Sequence, residues 1–240
     1  MSLSELIDDI VTANHILANE GVVDAFGHIS ARHPDDPNAY LLSRARAPEL
    51  ITAEDIMTFA LDGTPLNGDT RKPYLERFIH GSIYKARPDV QAVVHSHSRS
   101  VVPFSITKMR LRPVVHSCAC IGHEVRVWDA QSAFGDTNLL VSNVAMGDDL
   151  ATILAKDRAV LMRGHGSTVV GTSVHGVVYN AVYLEANADL QMKAIGLGEV
   201  TYLTAGEIDT INSRLENALP GEGYGRAWDY WKKRAEDARQ

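Results

Sequence analysis

Ten histidines are spread along the 240 residues, and their spacing decides which of them could act together. His95 and His97 close the run Val93-Val94-His95-Ser96-His97. Residues two apart in a strand project to the same side, so these imidazoles could share one ion, although a solvated strand end could carry the same pair. His165 stands between Gly164 and Gly166, just after the apolar Val160-Leu161-Met162. Flanking glycines let the backbone turn sharply and let an ion approach closely, although a turn histidine bonded to a carbonyl would look the same in sequence. Glu76 lies beside Leu75 and Ile79 in a helical pattern, four residues before His80. Three imidazoles and a carboxylate suit a divalent ion that keeps open positions, as a catalytic site requires. Zn, Mn, Co and Fe all fit such a donor set.

Alternating helical and extended patterns must position these groups. Leu3, Leu6, Ile7, Ile10, Val11, Ile16 and Leu17 predict a first helix to about Asn19, with Ser2 or Ser4 as its cap. Extended pieces are expected at 27–32, 40–43 and 56–61, the last ending at the turn signal Asp62-Gly63, which reads as a hairpin. A helix over 74–86 stops at Pro88, and a strand follows at 90–95. The sequence further predicts a short helix at 98–106, strands at 113–119 and 124–128, a helix at 148–156 and a strand at 159–162. A long helix at 173–195 precedes one that opens with the capping box Thr204 to Glu207 and runs to about Ala218. With no repeat or low-complexity linker, one α/β domain over 1–240 is the economical reading, with residues 220–240 as a C-terminal helical tail. The aromatic residues Tyr224, Trp228, Tyr230 and Trp231 in that tail suit anchoring to the core or to a neighbouring subunit, or an apolar wall over an aromatic ring.

A net charge of −7, from 23 basic and 30 acidic side chains, gives no footprint for nucleic acid or an anionic membrane. Met1 to Ile10 has no basic leader pattern, and no run of about 20 apolar residues occurs, so a cytoplasmic location is the expectation. Cys118 and Cys120 are too few and too close for a disulfide framework or a zinc knuckle, and are expected to be reduced and buried.

The stretches ERFIHGSIYKARPDVQAVVHSHS and LMRGHGSTVVG resemble the signatures of the class II aldolase and adducin family, over most of the chain. That resemblance implies a three-layer α/β/α fold with a central, mainly antiparallel sheet. It also implies a homotetramer with sites at subunit interfaces, and one divalent ion per subunit held at His95, His97 and His165. The position matching Glu76 moves between metal ligand and acid/base.

Departures from the sugar-phosphate members narrow the reading. Where those members place small residues that cradle phosphate, this chain has Gly27-His28, Ser43-Arg44-Ala45 and Tyr74-Leu75-Glu76. Bulky groups there remove the free backbone amides a phosphate needs. The aldolase tyrosine that follows a histidine is replaced in Pro113-Val114-Val115-His116-Ser117, which argues against phosphoaldolase chemistry. The stretches GHISARHP, SRARAPE and GYGRAWDYW are similar to the branch that decarboxylates hydroxylated aromatic or pyridine dicarboxylates. A hydroxyl ortho to a carboxylate could chelate the ion, which would stabilise the enolate-like carbanion left by carbon dioxide. In that reading Glu76 shuttles the replacing proton, and His116 or His28 supplies or orients it. Arg44 and Arg46 are candidates to hold a second carboxylate, with Ser43 and Tyr74 beside the substrate. Alternatives are an aldolase acting on an unphosphorylated hydroxy-acid, a non-catalytic adducin-like module and an Fe(II) oxygenase.

Overall fold

The computed structural model describes residues 1–216 and 222–239. Helix α1 (Leu3–Asn19) starts where Ser2 and Glu5 cap each other reciprocally, and its apolar stripe of Leu6, Ile10, Ala13 and Leu17 is buried. Seven strands follow in the chain: β1 (His28–Arg32), β2 (Ala39–Ser43), β3 (Ile56–Ala60), β4 (Ala92–Ser96), β5 (Arg126–Trp128), β6 (Ala159–Met162) and β7 (Gly166–Gly171). They form one sheet in the order β3-β2-β1-β4-β7-β6-β5. Every neighbouring pair is antiparallel except β5 with β6, so the sheet is mainly antiparallel, as the resemblance implied.

Fully buried strands such as Ala92–Ser96 are apolar on both faces because helices cover both. On one side α1, α6 (Val174–Leu197) and α8 (Tyr224–Asp237) bury Ile10, Val177, Trp228 and Trp231 against Ile29 and Val94. On the other side α2 (Arg77–Ala86) and α5 (Val144–Leu154) bury Ile79, Ile83 and Leu150 against Leu42 and Val93. Two short helices, α3 (Val102–Ser105) and α4 (Ala130–Phe134), and α7 (Ala205–Glu216) complete the elements. The Thr204–Glu207 capping box opens α7 as expected. The expected end near Ala218, and residues 220, 221 and 240 of the C-terminal tail, lie outside the described residues. Among the described residues, no helix is long and apolar enough to cross a membrane.

Several elements differ from the sequence expectation for identifiable reasons. Residues 113–119 do not form a strand; His116–Ile121 is a 3-10 turn. The extended segment before it finds its partners on α6 instead of on a strand. Asn187 accepts from the Val114 amide and donates to the Arg112 carbonyl, while Gln191 does the same for Arg112 and Arg110. Strand β7 was hidden in Ser167-Thr-Val-Val-Gly171, which follows the turn so closely that its alternation is short. Helix α5 begins four residues earlier than expected, where the Asn143 side chain accepts from the Met146 amide. Glu76 is not inside α2 but at its N-cap position. Residues 72–74 are held extended against the end of β2 through the Ala45 amide on the Lys72 carbonyl and an Arg44 to Pro73 bridge, so the helix cannot start earlier.

Candidate metal centre

Strand β4 brings His95 into register with His28 on β1 and Thr168 on β7, and His97 follows just past the strand end. The β6–β7 hairpin carries His165 in its turn, facing the same end of the sheet. Gly166 permits this approach: a Cβ there would stand 2.1 Å from the Ser96 carbonyl oxygen, a separation no side chain tolerates. Glu76 reaches the same point from the start of α2, and the Val141 amide donates to its Oε1 at 3.0 Å.

The four ligand atoms lie within 4.8 Å of one another. His97 Nε2 is 3.1 Å from His95 Nε2 and 3.0 Å from His165 Nε2. Glu76 Oε2 is 3.4 Å from His95 Nε2 and 3.5 Å from His165 Nε2. The His95 ring donates through Nδ1 to the Ser167 carbonyl at 3.1 Å, which leaves the Nε2 lone pair of the neutral ring aimed into the cluster. One proton can bridge one pair of nitrogens, but three nitrogens and a carboxylate oxygen around one point need a cation among them. The donor set therefore fits a divalent ion of the borderline class.

Electrostatics agree with this fit. Burial pushes His97 down, and its neighbours His95 and His165 push it further, to about 4. Burial pushes the Glu76 carboxyl up, but the opposing pull of His95 and His165 wins and holds it well below the usual carboxylate range. Its affinity for a proton thus depends on whether Oε2 faces those imidazoles.

Of the other predicted site residues, His28 is buried next to this centre, with its ring 5.1 Å from that of His95 and 4.5 Å from that of Tyr74. Tyr74 is half-buried and its hydroxyl donates to the Arg46 carbonyl. Arg44 and Arg46 do not stand free as a carboxylate fork: they bind Asp55 at 2.5 and 2.9 Å. Asp55 also accepts from the Thr52 amide, so the carboxylate that caps the 3-10 turn Ala53–Asp55 anchors two arginines as well. Ser43, at the end of β2, is fully buried beside this group. His116 is exposed on the 3-10 turn that packs on α6 and α7, and among the described residues it makes no contact with the four clustered side chains.

In the sequence His80 stands only as a motif position, Tyr84 only as part of the helix over 74–86 and Ser30 only as part of the extended piece at 27–32, with no functional role for any of them. His80 Nε2 lies 2.7 Å from His28 Nδ1, and a buried polar i, i+4 pair at His80 and Tyr84 on an otherwise apolar helix face was the available signal. The exposed apolar residues Phe26, Leu75 and Ile106 around the centre were also missed, because each is unremarkable alone.

A sheet end bearing three converging imidazoles and a carboxylate defines a metal-centre class of α/β protein. Residues 8–192 match the family model described as the Class II Aldolase and Adducin N-terminal domain, and the chain belongs to that family. Decarboxylase tropJ of Talaromyces stipitatus is 34% identical over 245 residues, spanning 94% of this chain and 92% of that protein. A 3,4-dihydroxyphthalate decarboxylase of Arthrobacter keyseri is 30% identical over 200 residues, spanning 79% and 78%. The crystal structure of an aldolase II superfamily protein from Pseudomonas syringae superposes with a TM-score of 0.80 at 22% identity, covering 98% of this chain and 94% of its own, and shares the fold.

Proposed function

We propose that this protein is a metal-dependent, non-oxidative decarboxylase of a hydroxylated aromatic or heteroaromatic carboxylate or dicarboxylate. Its class is that of a carbon–carbon lyase, supported by the family and by relatives named as decarboxylases. The observation that carries the reading is the convergence of Glu76, His95, His97 and His165 at one point, with exposed apolar side chains beside two of the imidazoles. The Phe26 ring is 6.4 Å from that of His97, and Ile106 lies near Gly164 beside His165. A flat ring rests on hydrocarbon while its hydroxyl and carboxylate turn toward the polar centre, the division of labour such an acid needs.

His95, His97, His165 and Glu76 would hold a divalent ion, which would supply Lewis acidity for the negative charge left when carbon dioxide departs. Glu76 holds and delivers the replacing proton. Its Oε1 is fixed by the Val141 amide, so Oε2 is the oxygen that exchanges. When the substrate hydroxyl takes the place of Oε2 against the imidazoles, the displaced carboxylate can accept the proton that hydroxyl gives up and hand it to the ring carbon whose bond to the carboxylate breaks. His28, with Tyr74 beside it, orients the substrate, while the fully buried Ser43 acts from behind this group. With Asp55 between them, Arg44 and Arg46 keep one net positive charge, and this draws a second carboxylate without a free fork. His116, apart from the centre within one chain, is not given the proton step. A homotetramer and a cytoplasmic location belong to the same proposal.

The test is a panel of hydroxyphthalates and hydroxypyridine dicarboxylates incubated with metal-loaded protein. Carbon dioxide released without aldehyde or pyruvate supports the decarboxylase. Pyruvate or an aldehyde from the same panel moves the assignment to an aldolase of unphosphorylated hydroxy-acids, and oxygen uptake would move it to an oxygenase.

A further inference from the structure

Behind His28 runs a line of buried polar groups with no part in the chemistry described so far. His28 Nδ1 is 2.7 Å from His80 Nε2, His80 Nδ1 is 2.6 Å from Ser30 Oγ, and Ser30 Oγ is 2.8 Å from the Tyr84 hydroxyl. Two periodicities build it. His28 and Ser30 are two apart on β1 and share a sheet face, while His80 and Tyr84 are four apart on α2 and share a helix face. His80 and Ser30 are fully sealed and Tyr84 is nearly so.

Only one order of protons satisfies this line. The Tyr84 oxygen lies 2.8 Å from Ser30 Oγ and also meets the Val93 backbone, which acts on it as a donor; sealed from solvent, the hydroxyl is left with Ser30 Oγ as the acceptor for its own proton. Ser30 then donates to His80 Nδ1, and His80 carries its proton on Nε2 and donates to His28 Nδ1. A neutral His28 with Nδ1 accepting must carry its own proton on Nε2. The reverse order leaves the Tyr84 proton without an acceptor. A His80 cation donating both ways would be sealed without an ion-pair partner, since Glu76 pairs with His95 and His165 instead. Among the described residues His28 Nε2 has no hydrogen-bond partner, yet it is absent from the polar atoms that are both sealed and unpartnered, so it opens on accessible space.

We infer that Tyr84, Ser30 and His80 are positioning residues that lock His28 as the Nε2–H tautomer, so that it presents a fixed hydrogen-bond donor, and not a base, to an anionic substrate oxygen beside the metal centre. The lock is independent of the substrate; only the identity of that oxygen, a carboxylate or phenolate of the hydroxy-acid, rests on the decarboxylase reading. A preset donor costs no reorganisation when charge develops on the oxygen it faces.

The experiment is nitrogen-15 NMR of the full chain with labelled histidine, loaded with zinc, in which the ring shifts report which nitrogen of each imidazole is protonated. His28 and His80 are both expected to be protonated on Nε2 and bare on Nδ1. Ser30→Ala removes the donor that fixes His80, so both tautomers of His28 should appear, with kcat reduced roughly tenfold and the zinc content unchanged. His28→Gln keeps an N–H donor but no titrating base, and should stay within about tenfold of the parent, whereas His28→Leu should lose about a hundredfold or more. A His28 ring protonated on Nδ1 in the parent protein overturns the lock, whether or not carbon dioxide is released. A Gln variant as inactive as the Leu variant, with zinc and fold intact, overturns the donor role. Both rings protonated on Nε2 in a protein that releases no carbon dioxide would uphold the lock and sink the decarboxylase reading.

Discussion

His97 is the hinge of the centre at the residue scale, since its Nε2 lies close to both other imidazole nitrogens. His97→Ala should abolish both ion retention and turnover, whereas Glu76→Gln should keep most of the ion but stop proton delivery; elemental analysis beside the turnover assay checks both. Full activity in either variant would refute the assigned roles. Asp55 is a second residue with a measurable signature. Burial pushes its carboxyl up, but bonds from Arg44, the Thr52 amide and Arg46 outweigh burial and bring it to about 2. A carboxyl lowered in the fold contributes stability that is fully present above its unfolded value and is lost as pH falls through about 2. Asp55→Asn should therefore lower the urea midpoint at neutral pH, by the equivalent of about 1–3 kcal/mol, and the gap from the parent should close as the pH approaches about 2. The four clustered residues were legible only as a set: the H-x-H pair, the glycine-flanked His165 and Glu76 are each ambiguous alone, but together they make the donor set of a divalent ion and match the family's signatures. The fate of Arg44 and Arg46 was not, because Asp55 reads locally as a capping residue and nothing in the sequence says that its oxygens face back along the chain.

At the scale of elements, α2 matters most, since it carries Glu76 at its start and His80 and Tyr84 on its inner face. It lies so close to the end of β3 that a Cβ at Gly81 would stand 2.1 Å from the Leu61 carbonyl oxygen. Gly81→Ala should push the helix outward and destabilise the protein by about 1–3 kcal/mol, read from the thermal midpoint, with loss of turnover larger than the stability change alone explains. Strands β4 and β6 were readable as short apolar runs, β1 as a short extended piece and the long α6 from its length, whereas β7 follows the His165 turn too closely to show an alternation of its own. The segment leading into the 3-10 turn at His116–Ile121 was not, because Arg110, Arg112 and Val114 find their hydrogen-bond partners in Asn187 and Gln191, more than seventy residues away, and such tertiary partners leave no local pattern. The turn that follows leaves His116 exposed.

For the whole molecule, the C-terminal helix α8 packs on α1 and α6, with Trp228 stacked 3.9 Å from the His175 ring and Trp231 buried, while Tyr230 remains exposed. Trp228 and Trp231 thus anchor the tail within its own chain. If the homotetramer holds, light scattering coupled to size exclusion should give four times the 26.2 kDa chain mass, and a monomer would remove the interface part of the proposal. The claim on which everything else depends is that one ion at one cluster drives loss of carbon dioxide. The direct measurement is titration of chelator-stripped protein with a divalent ion while carbon dioxide release from a dihydroxyphthalate is followed. The rate should climb from near zero and level off at one ion per chain; stripped protein that already releases carbon dioxide at the full rate would contradict it.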